Sequence, residues 1–255
     1  MNKACIDHQQ LDELGTTQFN AVTPFPWHSF SGLLTPQKFT ELMHDFPPLD
    51  HFERHQDIPR GGQRPHNRLY LSYERTIYHD RQSGVTGLIE HSALPTVWQQ
   101  FIEELEQGEH YRSFIARLLG TSSFKIRYAW HVGENGSEVS PHCDMHSKLA
   151  THLFYFNSDK EWQREWGGET LLLSDKKIME NNPEFEDFGA VQAVEMLNNK
   201  SFLFKNCRDG WHGVRRLDCP EGAYRRLFTV VIETTKKKLH SLLKRVRRRL
   251  AGYFT

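Results

Sequence analysis

The sequence predicts a mainly β protein with flanking helices, built on a double-stranded β-helix, or jelly-roll, core over residues 124–235. Three observations lead to this fold class. From residue 124 onward, runs rich in β-branched and aromatic residues follow one another, separated by turn segments at 133–137, 158–168 and 198–199. Aromatic residues make up 12% of the chain, which suits a β-rich interior. Helical periodicity is confined to the first half of the chain and to its C-terminal end.

The first 123 residues predict a lead-in of helices and loops. Thr35 and Pro36 are typical of a helix start, and apolar residues follow at helical spacing until two prolines at 47–48. Helical periodicity returns over 96–105 and 111–119. We expect these helices to pack on the outer face of the sheet that the later strands form.

Two other segments of the lead-in carry predictions. Residues 69–73 are expected to form a strand. Residues 51–68 are polar and contain two adjacent glycines, which predicts a long loop. Long loops on a rigid scaffold often form binding surfaces, so this loop and residues 158–166 are expected to shape a pocket. Arg60, Arg64 and Arg68 are candidates for contact with an anionic substrate, or are simply solvated.

Charge is distributed unevenly along a chain whose formal net charge is zero. Residues 236–255 hold eight of the 32 basic residues and none of the 32 acidic ones, so the remaining 24 basic and 32 acidic residues give the rest a net charge of −8. Within this tail, leucine and valine fall on one face of a predicted helix and basic residues cover most of the remainder. The pattern predicts a basic amphipathic C-terminal helix that contacts an anionic membrane surface, or instead packs on the domain or a neighbouring subunit. Nucleic acid is a less favoured partner because the body is acidic.

The sequence also bears on the compartment. No apolar run is long enough to span a membrane, and the N-terminus has no signal-peptide pattern. The four cysteines lack the spacing of a disulfide framework, so free thiols in a reducing compartment are expected. These features predict a cytoplasmic protein, peripheral at the inner face of a membrane if the tail binds lipid.

The chemistry is concentrated in residues 128–170 and in two positions further on. His142 and Asp144 are two residues apart, so on a β-strand both side chains would leave the same face. His212 lies far downstream, and two histidines with one carboxylate are the ligands of non-haem Fe(II) oxygenases. Arg225 opens a strand-like run and is suited to grip a carboxylate through two parallel hydrogen bonds.

Six segments together resemble the 2-oxoglutarate/Fe(II)-dependent dioxygenases of the prolyl-4-hydroxylase-like type. They occur in the family's order over roughly residues 124–233: Ile126-Arg127-Tyr128, Pro141-His142-Cys143-Asp144, the strand Thr151 to Asn157, Trp166-Gly167-Gly168-Glu169-Thr170, Ser201-Phe202-Leu203-Phe204, and the distal Trp211-His212-Gly213. The HxD tripeptide occurs often by chance, whereas six pieces in order with suitable spacing are specific. The resemblance implies a dioxygenase domain over residues 1–235, with a lead-in at 1–123, a jelly-roll core at 124–235 and the tail helix at 236–255.

The resemblance also implies roles for individual residues. His142, Asp144 and His212 would bind Fe(II), and Arg225 would bind the far carboxylate of 2-oxoglutarate. Tyr128 and Tyr155 match tyrosines of the cosubstrate site, although either is also consistent with an ordinary half-buried aromatic residue. Leu227 departs from the pattern, because relatives often have a small hydroxyl residue two positions after the arginine.

Several alternatives to these roles remain open. Arg226 replaces Arg225 as the carboxylate anchor if the strand register slips by one residue. His146 shares the parity of the HxD pair, but three ligands from one strand would crowd a metal. His152 is expected to point outward, and His131 is expected to line the mouth of the site.

The implied reaction is hydroxylation of a substrate C–H bond with release of succinate and CO2. Its cofactors would be Fe(II), 2-oxoglutarate and O2, with ascorbate as a further candidate. Asp144 favours hydroxylation, because halogenating relatives lack this carboxylate. The substrate is expected to be a small molecule, an envelope or lipid-linked sugar, or a prolyl residue. The alternative function is a non-catalytic jelly-roll binding module docked to an anionic membrane surface, and the oligomeric state is left open.

Overall fold

The computed structural model describes residues 4–56, 66–75 and 87–235. Five α-helices occur in these ranges: α1 (His8–Glu13), α2 (Thr16–Asn20), α3 (Pro36–His44), α4 (Thr96–Gln107) and α5 (Glu109–Leu119). The predicted helix starts at Pro36 and ends before the two prolines, and the two later helices lie where periodicity placed them. The basic tail and residues 57–65 of the predicted loop lie outside the described residues.

Twelve strands in the described ranges form two sheets. The strands are β1 (Trp27–Ser31), β2 (Glu53–His55), β3 (Arg68–Tyr73), β4 (Leu88–Ile89), β5 (Phe124–Gly133), β6 (Val139–His142), β7 (Lys148–Tyr155), β8 (Thr170–Lys176), β9 (Phe188–Val194), β10 (Lys200–Lys205), β11 (Trp211–Val214) and β12 (Arg225–Thr234). The larger sheet has the order β1-β10-β7-β12-β5-β3-β2, with β4 beside β3, and the smaller has the order β6-β11-β8-β9. All pairings are antiparallel except the one between β3 and β4.

The lead-in contributes more to the sheet than the sequence suggested. The strand expected over 69–73 is present as β3, and β1, β2 and β4 join the larger sheet with it. Part of the segment expected to be a loop is strand β2. Short strands such as β2 and β4 gave no usable alternation of apolar and polar residues, which is why sequence patterns missed them.

The outer face of the larger sheet packs against α4 and α5 through an aromatic core. Trp98 and Phe101 of α4 are fully buried against Phe228 of β12, with ring centroids 5.1 and 5.7 Å from the Phe228 ring. Alternate residues of β5 and β12 enter this core because successive strand side chains point to opposite faces. The helices therefore fix which residues of each strand are left for the opposite, inner face.

The inner faces of the two sheets meet in a second core. Tyr155 and Leu227 from the larger sheet pack with Leu172 and Val214 from the smaller sheet. The hydroxyls of Tyr155 and Thr170 lie 2.7 Å apart and link the two sheets directly. A side chain on either inner face therefore points into the space between the sheets.

Two further expectations can be compared with the described residues. All four cysteines are free thiols, as predicted. None of the described helices is both long and apolar enough to cross a membrane.

The buried His152 is expected to make the free energy of unfolding depend on pH. Its Nδ1 and Nε2 lie 3.1 Å from the hydroxyls of Tyr111 and Ser201, respectively, between the sheet and α5. Burial lowers the pKa of His152 to about 3, well below the value of an unfolded histidine. The unfolded chain therefore takes up this proton first, and stability falls as the pH drops from about 6.5 toward 3.

We expect His152→Gln to flatten this dependence. Between pH 7.5 and 5.5 the wild type should lose about 1 kcal/mol of unfolding free energy through His152, and the variant should not. Urea unfolding of both proteins at the two pH values measures the difference. The same change of unfolding free energy with pH in both proteins would show that His152 does not couple protonation to folding.

Candidate metal centre

His142 and His212 lie side by side because β6 and β11 pair directly at these two positions. Side chains directly opposite each other in an antiparallel pair project from the same face of a sheet. Their imidazole ring centroids are 4.3 Å apart. Leu172 of β8 is opposite His212 and continues the row on the inner face. Residues 70 positions apart in the sequence are thus neighbours on one surface.

Backbone carbonyl groups orient both imidazoles. Nδ1 of His142 lies 3.0 Å from the Ser140 carbonyl oxygen, and Nδ1 of His212 lies 2.9 Å from that of Gly210. A carbonyl oxygen only accepts hydrogen bonds, so each Nδ1 carries a proton, and Nε2 is the ring nitrogen left to face the neighbouring side chains. With Nδ1 donating to a backbone carbonyl, a neutral imidazole would offer its Nε2 lone pair to a metal.

Asp144 joins the histidines from beyond the end of a strand. β6 ends at His142, so strand alternation does not explain the position of the carboxylate. Instead, the Thr151 hydroxyl donates to Oδ2 over 3.0 Å and Lys148 Nζ donates to Oδ1 over 2.5 Å. These bonds hold Oδ1 at 4.0 Å from His142 Nε2. The structure places the predicted Asp144 beside the two histidines, and side chains of β7, not strand alternation, position it.

The carboxyl of Asp144 is ionised at neutral pH. Burial acts to raise its pKa, but the Lys148 ammonium and the two histidines outweigh burial and hold the pKa below its usual range. Metal ligation requires the deprotonated form, which is already present.

The three side chains form a compact donor set. Their ligand atoms all lie within 4.8 Å of one another, and all three residues are buried. No other group of three or more such residues occurs within 4–56, 66–75 and 87–235. Two unprotonated imidazole nitrogens and one carboxylate are the donors that hold non-haem Fe(II) with positions left for other ligands. The residues present therefore fit the iron that the sequence predicts.

Two aromatic rings flank this donor set. The His66 ring lies 4.7 Å from His142, and the Phe204 ring lies 4.7 Å from His212. His66 reaches this position because the next residue, Asn67, bridges to Glu138 just before β6. The sequence analysis missed His66, since nothing in its local pattern indicates that long-range bridge.

Arg225 is buried on the inner face of β12. Its Nε donates to the Gly168 carbonyl oxygen over 2.5 Å, and its Cζ lies 5.5 Å from the centre of the Tyr155 ring. No carboxylate of the described residues lies within ion-pair distance of it, although the charge of Glu169 acts on it from further away. Burial lowers the pKa of the guanidinium. A buried guanidinium with no carboxylate in direct contact is suited to receive the carboxylate of a ligand.

The alternative anchor, Arg226, lies on the other face of β12. It is half-buried, and its Nη1 is 3.6 Å from Glu161 Oε2. Arg226 pairs with Val132, a member of the core on the helix side. Of the two arginines, the structure therefore places Arg225 in the space between the sheets.

Tyr155 and Tyr128 lie on opposite faces of the larger sheet. Tyr155 is on the inner face beside Arg225, and burial raises the pKa of its hydroxyl. Tyr128 is on the helix side, where its hydroxyl donates to Glu106 of α4 over 2.8 Å. The expectation that Tyr128 belongs to the cosubstrate site is therefore wrong. β5 is buried along nearly its whole length on both faces. Its sequence therefore shows no alternation of apolar and polar residues that would tell which side chains face the helices.

Three other histidines were considered from the sequence: His146, His152 and His131. His146 is exposed in the turn before β7, away from the donor set. His152 points to the helix side, as expected, and is fully buried there. His131 is on the inner face of β5, with its ring 5.0 Å from that of Tyr70. Burial, followed by the charges of Arg68 and Arg127, lowers the His131 pKa, so its imidazole is neutral.

Known proteins resemble this chain in sequence family and in fold. The sequence model of the 2OG-Fe(II) oxygenase superfamily matches residues 126–233. No curated protein matches the chain by sequence. A prolyl-4-hydroxylase from Pseudomonas putida has a similar structure at 14% identity and a TM-score of 0.57, covering 86% of this chain and 98% of that one.

Two other solved structures extend the comparison. A prolyl hydroxylase from Trichoplax adhaerens, in complex with a hypoxia inducible factor oxygen degradation domain peptide fragment, has 16% identity and a TM-score of 0.58, covering 92% of this chain and 94% of that one. HygX from Streptomyces hygroscopicus, with nickel and 2-oxoglutarate bound, has 11% identity and a TM-score of 0.52, covering 82% and 83%. At these identities the similarity shows the fold, and it confirms the predicted double-stranded β-helix core.

The close approach of Arg225 to Gly168 gives a test of the pocket. A Cβ at Gly168 would lie 3.0 Å from Arg225 Cδ and 3.1 Å from Met196 Sδ, whereas a Cβ at Gly167 would meet nothing within 4 Å. Both glycines have positive φ, 105° and 76°, so alanine strains the backbone at either position. We expect Gly168→Ala to lower the unfolding free energy by about 1 kcal/mol more than the control Gly167→Ala, because it also overpacks the guanidinium. Equal losses in urea unfolding would show that Arg225 is not packed against this turn.

Proposed function

We propose that the protein is an Fe(II)- and 2-oxoglutarate-dependent dioxygenase that hydroxylates a C–H bond. The match of residues 126–233 to the sequence model of the 2OG-Fe(II) oxygenase superfamily supports this proposal. The observation that carries the proposal is the buried donor set of His142, Asp144 and His212, with Arg225 in the same space between the sheets. The domain limits 1–235 and 236–255, with the core at 124–235, remain part of the proposal.

Each side chain has a defined task in this reaction. His142 and His212 would present Nε2 to Fe(II), and Asp144 would present Oδ1, the oxygen nearer His142. Lys148 and Thr151 hold the carboxylate in place. When bound, the iron would supply O2 activation, which the protein's own side chains cannot provide. Three donors leave positions for 2-oxoglutarate and O2.

The cosubstrate would be held at its other end by Arg225. The five-carbon diacid has one end that chelates iron and a second carboxylate that needs a cation. Arg225 is buried and has the Gly168 carbonyl and the Tyr155 ring to fix its orientation. We therefore propose that Arg225 binds the far carboxylate, with Tyr155 beside it.

The proposed reaction balances with the named reactants. The substrate C–H bond becomes C–OH with one oxygen atom of O2, while the second oxygen atom enters the succinate formed with CO2 from 2-oxoglutarate. Ascorbate is not part of this balance and stays a prediction. The inner-face residues would exclude water from the reacting bond.

The non-catalytic binding module is the weaker alternative. A module that needs no metal has no reason to keep two histidines in the metal-binding tautomer beside an ionised carboxylate. It also has no reason to bury an arginine without a counter-ion.

The ligands of similar structures and the basic tail bear on the class of substrate. Among proteins of similar fold, the Trichoplax structure contains a peptide fragment and a HygX structure contains hygromycin B, so the fold accommodates both peptides and small molecules. We retain three candidates for this chain: a small molecule, an envelope or lipid-linked sugar, and a prolyl residue. The basic tail favours the sugar at a membrane.

We expect the metal-free protein, titrated anaerobically with Fe(II) and 2-oxoglutarate, to develop the weak visible charge-transfer band of the chelate. His212→Ala should abolish the band because it removes a metal ligand. Arg225→Gln should raise the 2-oxoglutarate concentration for half-saturation about tenfold or more, since a charge-assisted hydrogen bond is worth about 1.5–3 kcal/mol. Arg226→Gln is the matched control and should leave the titration unchanged.

The outcomes of this experiment separate the alternatives. Succinate formation that requires iron and 2-oxoglutarate, and that disappears in Asp144→Ala, would complete the assignment. A folded wild type without the band would contradict the enzyme and favour the binding module. Equal weakening in the two arginine variants would contradict the assignment of Arg225.

For the tail, we propose peripheral binding to anionic membrane at the cytoplasmic face. The full chain should sediment with vesicles that contain anionic phospholipid, and less with neutral vesicles, because eight basic residues contribute to surface attraction. Added salt should weaken binding, and deletion of residues 236–255 should remove it. Equal binding by the full and the shortened chain would contradict this proposal.

A further inference from the structure

Thr229 has a buried hydroxyl without a partner on the inner face of β12. Its Oγ1 forms no hydrogen bond to any residue within 4–56, 66–75 and 87–235, although Thr229 is only 7% exposed. A buried hydroxyl without a hydrogen bond is costly, and native proteins rarely leave one in that state. The hydroxyl is therefore a candidate for contact with a ligand.

The register of β12 shows which way Thr229 points. Phe228 and Val230 enter the core on the helix side. Arg225, Leu227 and Thr229 alternate with them, so all three face the space between the sheets. Leu227 packs there with Tyr155, which confirms the direction.

Thr229 lies between the two ends of the proposed cosubstrate site. On one side, Val231 pairs with Thr151, whose hydroxyl holds Asp144. On the other side, Leu227 pairs with Tyr155, which contacts Arg225. Successive side chains on one face of a strand are about 7 Å apart. Thr229 is therefore about 7 Å along β12 from Val231 and from Leu227.

Thr229 is flanked by Leu153 of β7 on one side and by a smaller residue on the other. It is directly opposite Ala129 of β5, whose side chain is a single methyl group. Ser72 of β3 is next in this row, also opposite Ala129, and its buried hydroxyl has no partner either. Ser72 is two strand spacings, about 10 Å, from Thr229 across the sheet.

We propose that the Thr229 hydroxyl is a positioning group for 2-oxoglutarate that lies between the metal centre and Arg225 and donates a hydrogen bond to a carboxylate oxygen of the cosubstrate. This inference rests on the proposed function and adds a residue to its site. Leu227 has no hydroxyl, and Thr229 provides one on the same face of β12. The hydroxyl is unsatisfied in the free protein and gains its hydrogen bond when the cosubstrate enters.

The test uses the isosteric variant Thr229→Val. In the anaerobic titration, the variant should need about tenfold or more 2-oxoglutarate for half-saturation of the charge-transfer band, the effect of one hydrogen bond to a charged ligand. Its affinity for Fe(II), measured without cosubstrate, should stay within about twofold of the wild type. Thr229→Ser keeps the hydroxyl and should restore most of the cosubstrate affinity.

A second readout separates positioning from a structural role. Because the hydroxyl has no partner in the free protein, replacing it with a methyl group should leave metal-free stability in urea unchanged or increased. A structural hydroxyl would instead lower stability when removed. Ser72→Ala is the matched control: it removes the other unpartnered hydroxyl of the row and should leave 2-oxoglutarate binding unchanged.

The outcomes distinguish this inference from the proposed function. Wild-type affinity for 2-oxoglutarate in Thr229→Val overturns the inference and leaves the enzyme assignment in place. Reduced metal-free stability in Thr229→Val, or equal weakening in Ser72→Ala, also overturns it. A folded wild type that shows no band contradicts the proposed function and this inference together.

Discussion

The direct pairing of His212 with His142 is the constraint on which the rest of the site depends. A shift of one residue in the register of β11 would turn His212 to the other face, where Trp211 now packs. Gly213 helps to fix the register, because a Cβ there would lie 2.7 Å from the Val139 carbonyl oxygen and 3.0 Å from the Phe185 ring. The irregularity between His212 and Val214 is therefore possible only with glycine between them. One small residue thus determines whether the two imidazoles meet.

The space between the sheets holds charges that are only partly balanced by the protein. Asp144 has the Lys148 ammonium, whereas Arg225 has a carbonyl oxygen and an aromatic ring but no carboxylate from the described residues. Burying a cation without a counter-ion is expensive. The fold accepts that cost at Arg225 and leaves Thr229 unsatisfied close by. Both features are expected of a site that is complete only when an anionic, hydrogen-bonding ligand enters it.

The sequence was sufficient where the chemistry itself restricts the residue type. Few residues bind a metal or a carboxylate, and their order along the chain was specific. The sequence could therefore point to His142, Asp144 and His212, which the structure brings together, and to Arg225, which the structure buries. The side of a fully buried strand was not predictable, which is why Tyr128 was placed wrongly. The stretch around it is apolar on both faces, and only packing against α4 reveals its direction. Thr229 was missed for a related reason, since an unsatisfied hydroxyl is a property of three-dimensional surroundings.

Some connections of the chain lie outside the control of the sheet register. The proposed ligands and the carboxylate anchor lie on, or just beyond, paired strands, and hydrogen bonding between strands limits how far they can shift. The turn before β7 and the connection from β8 to β9 have no such limit, and they expose Met145 and Met179 by 58% and 95%. Loops on a rigid scaffold can change without altering the pairing that brings the imidazoles together. The same physical separation explains how structures of similar fold, at 11–16% identity, contain ligands as different as a peptide fragment and hygromycin B.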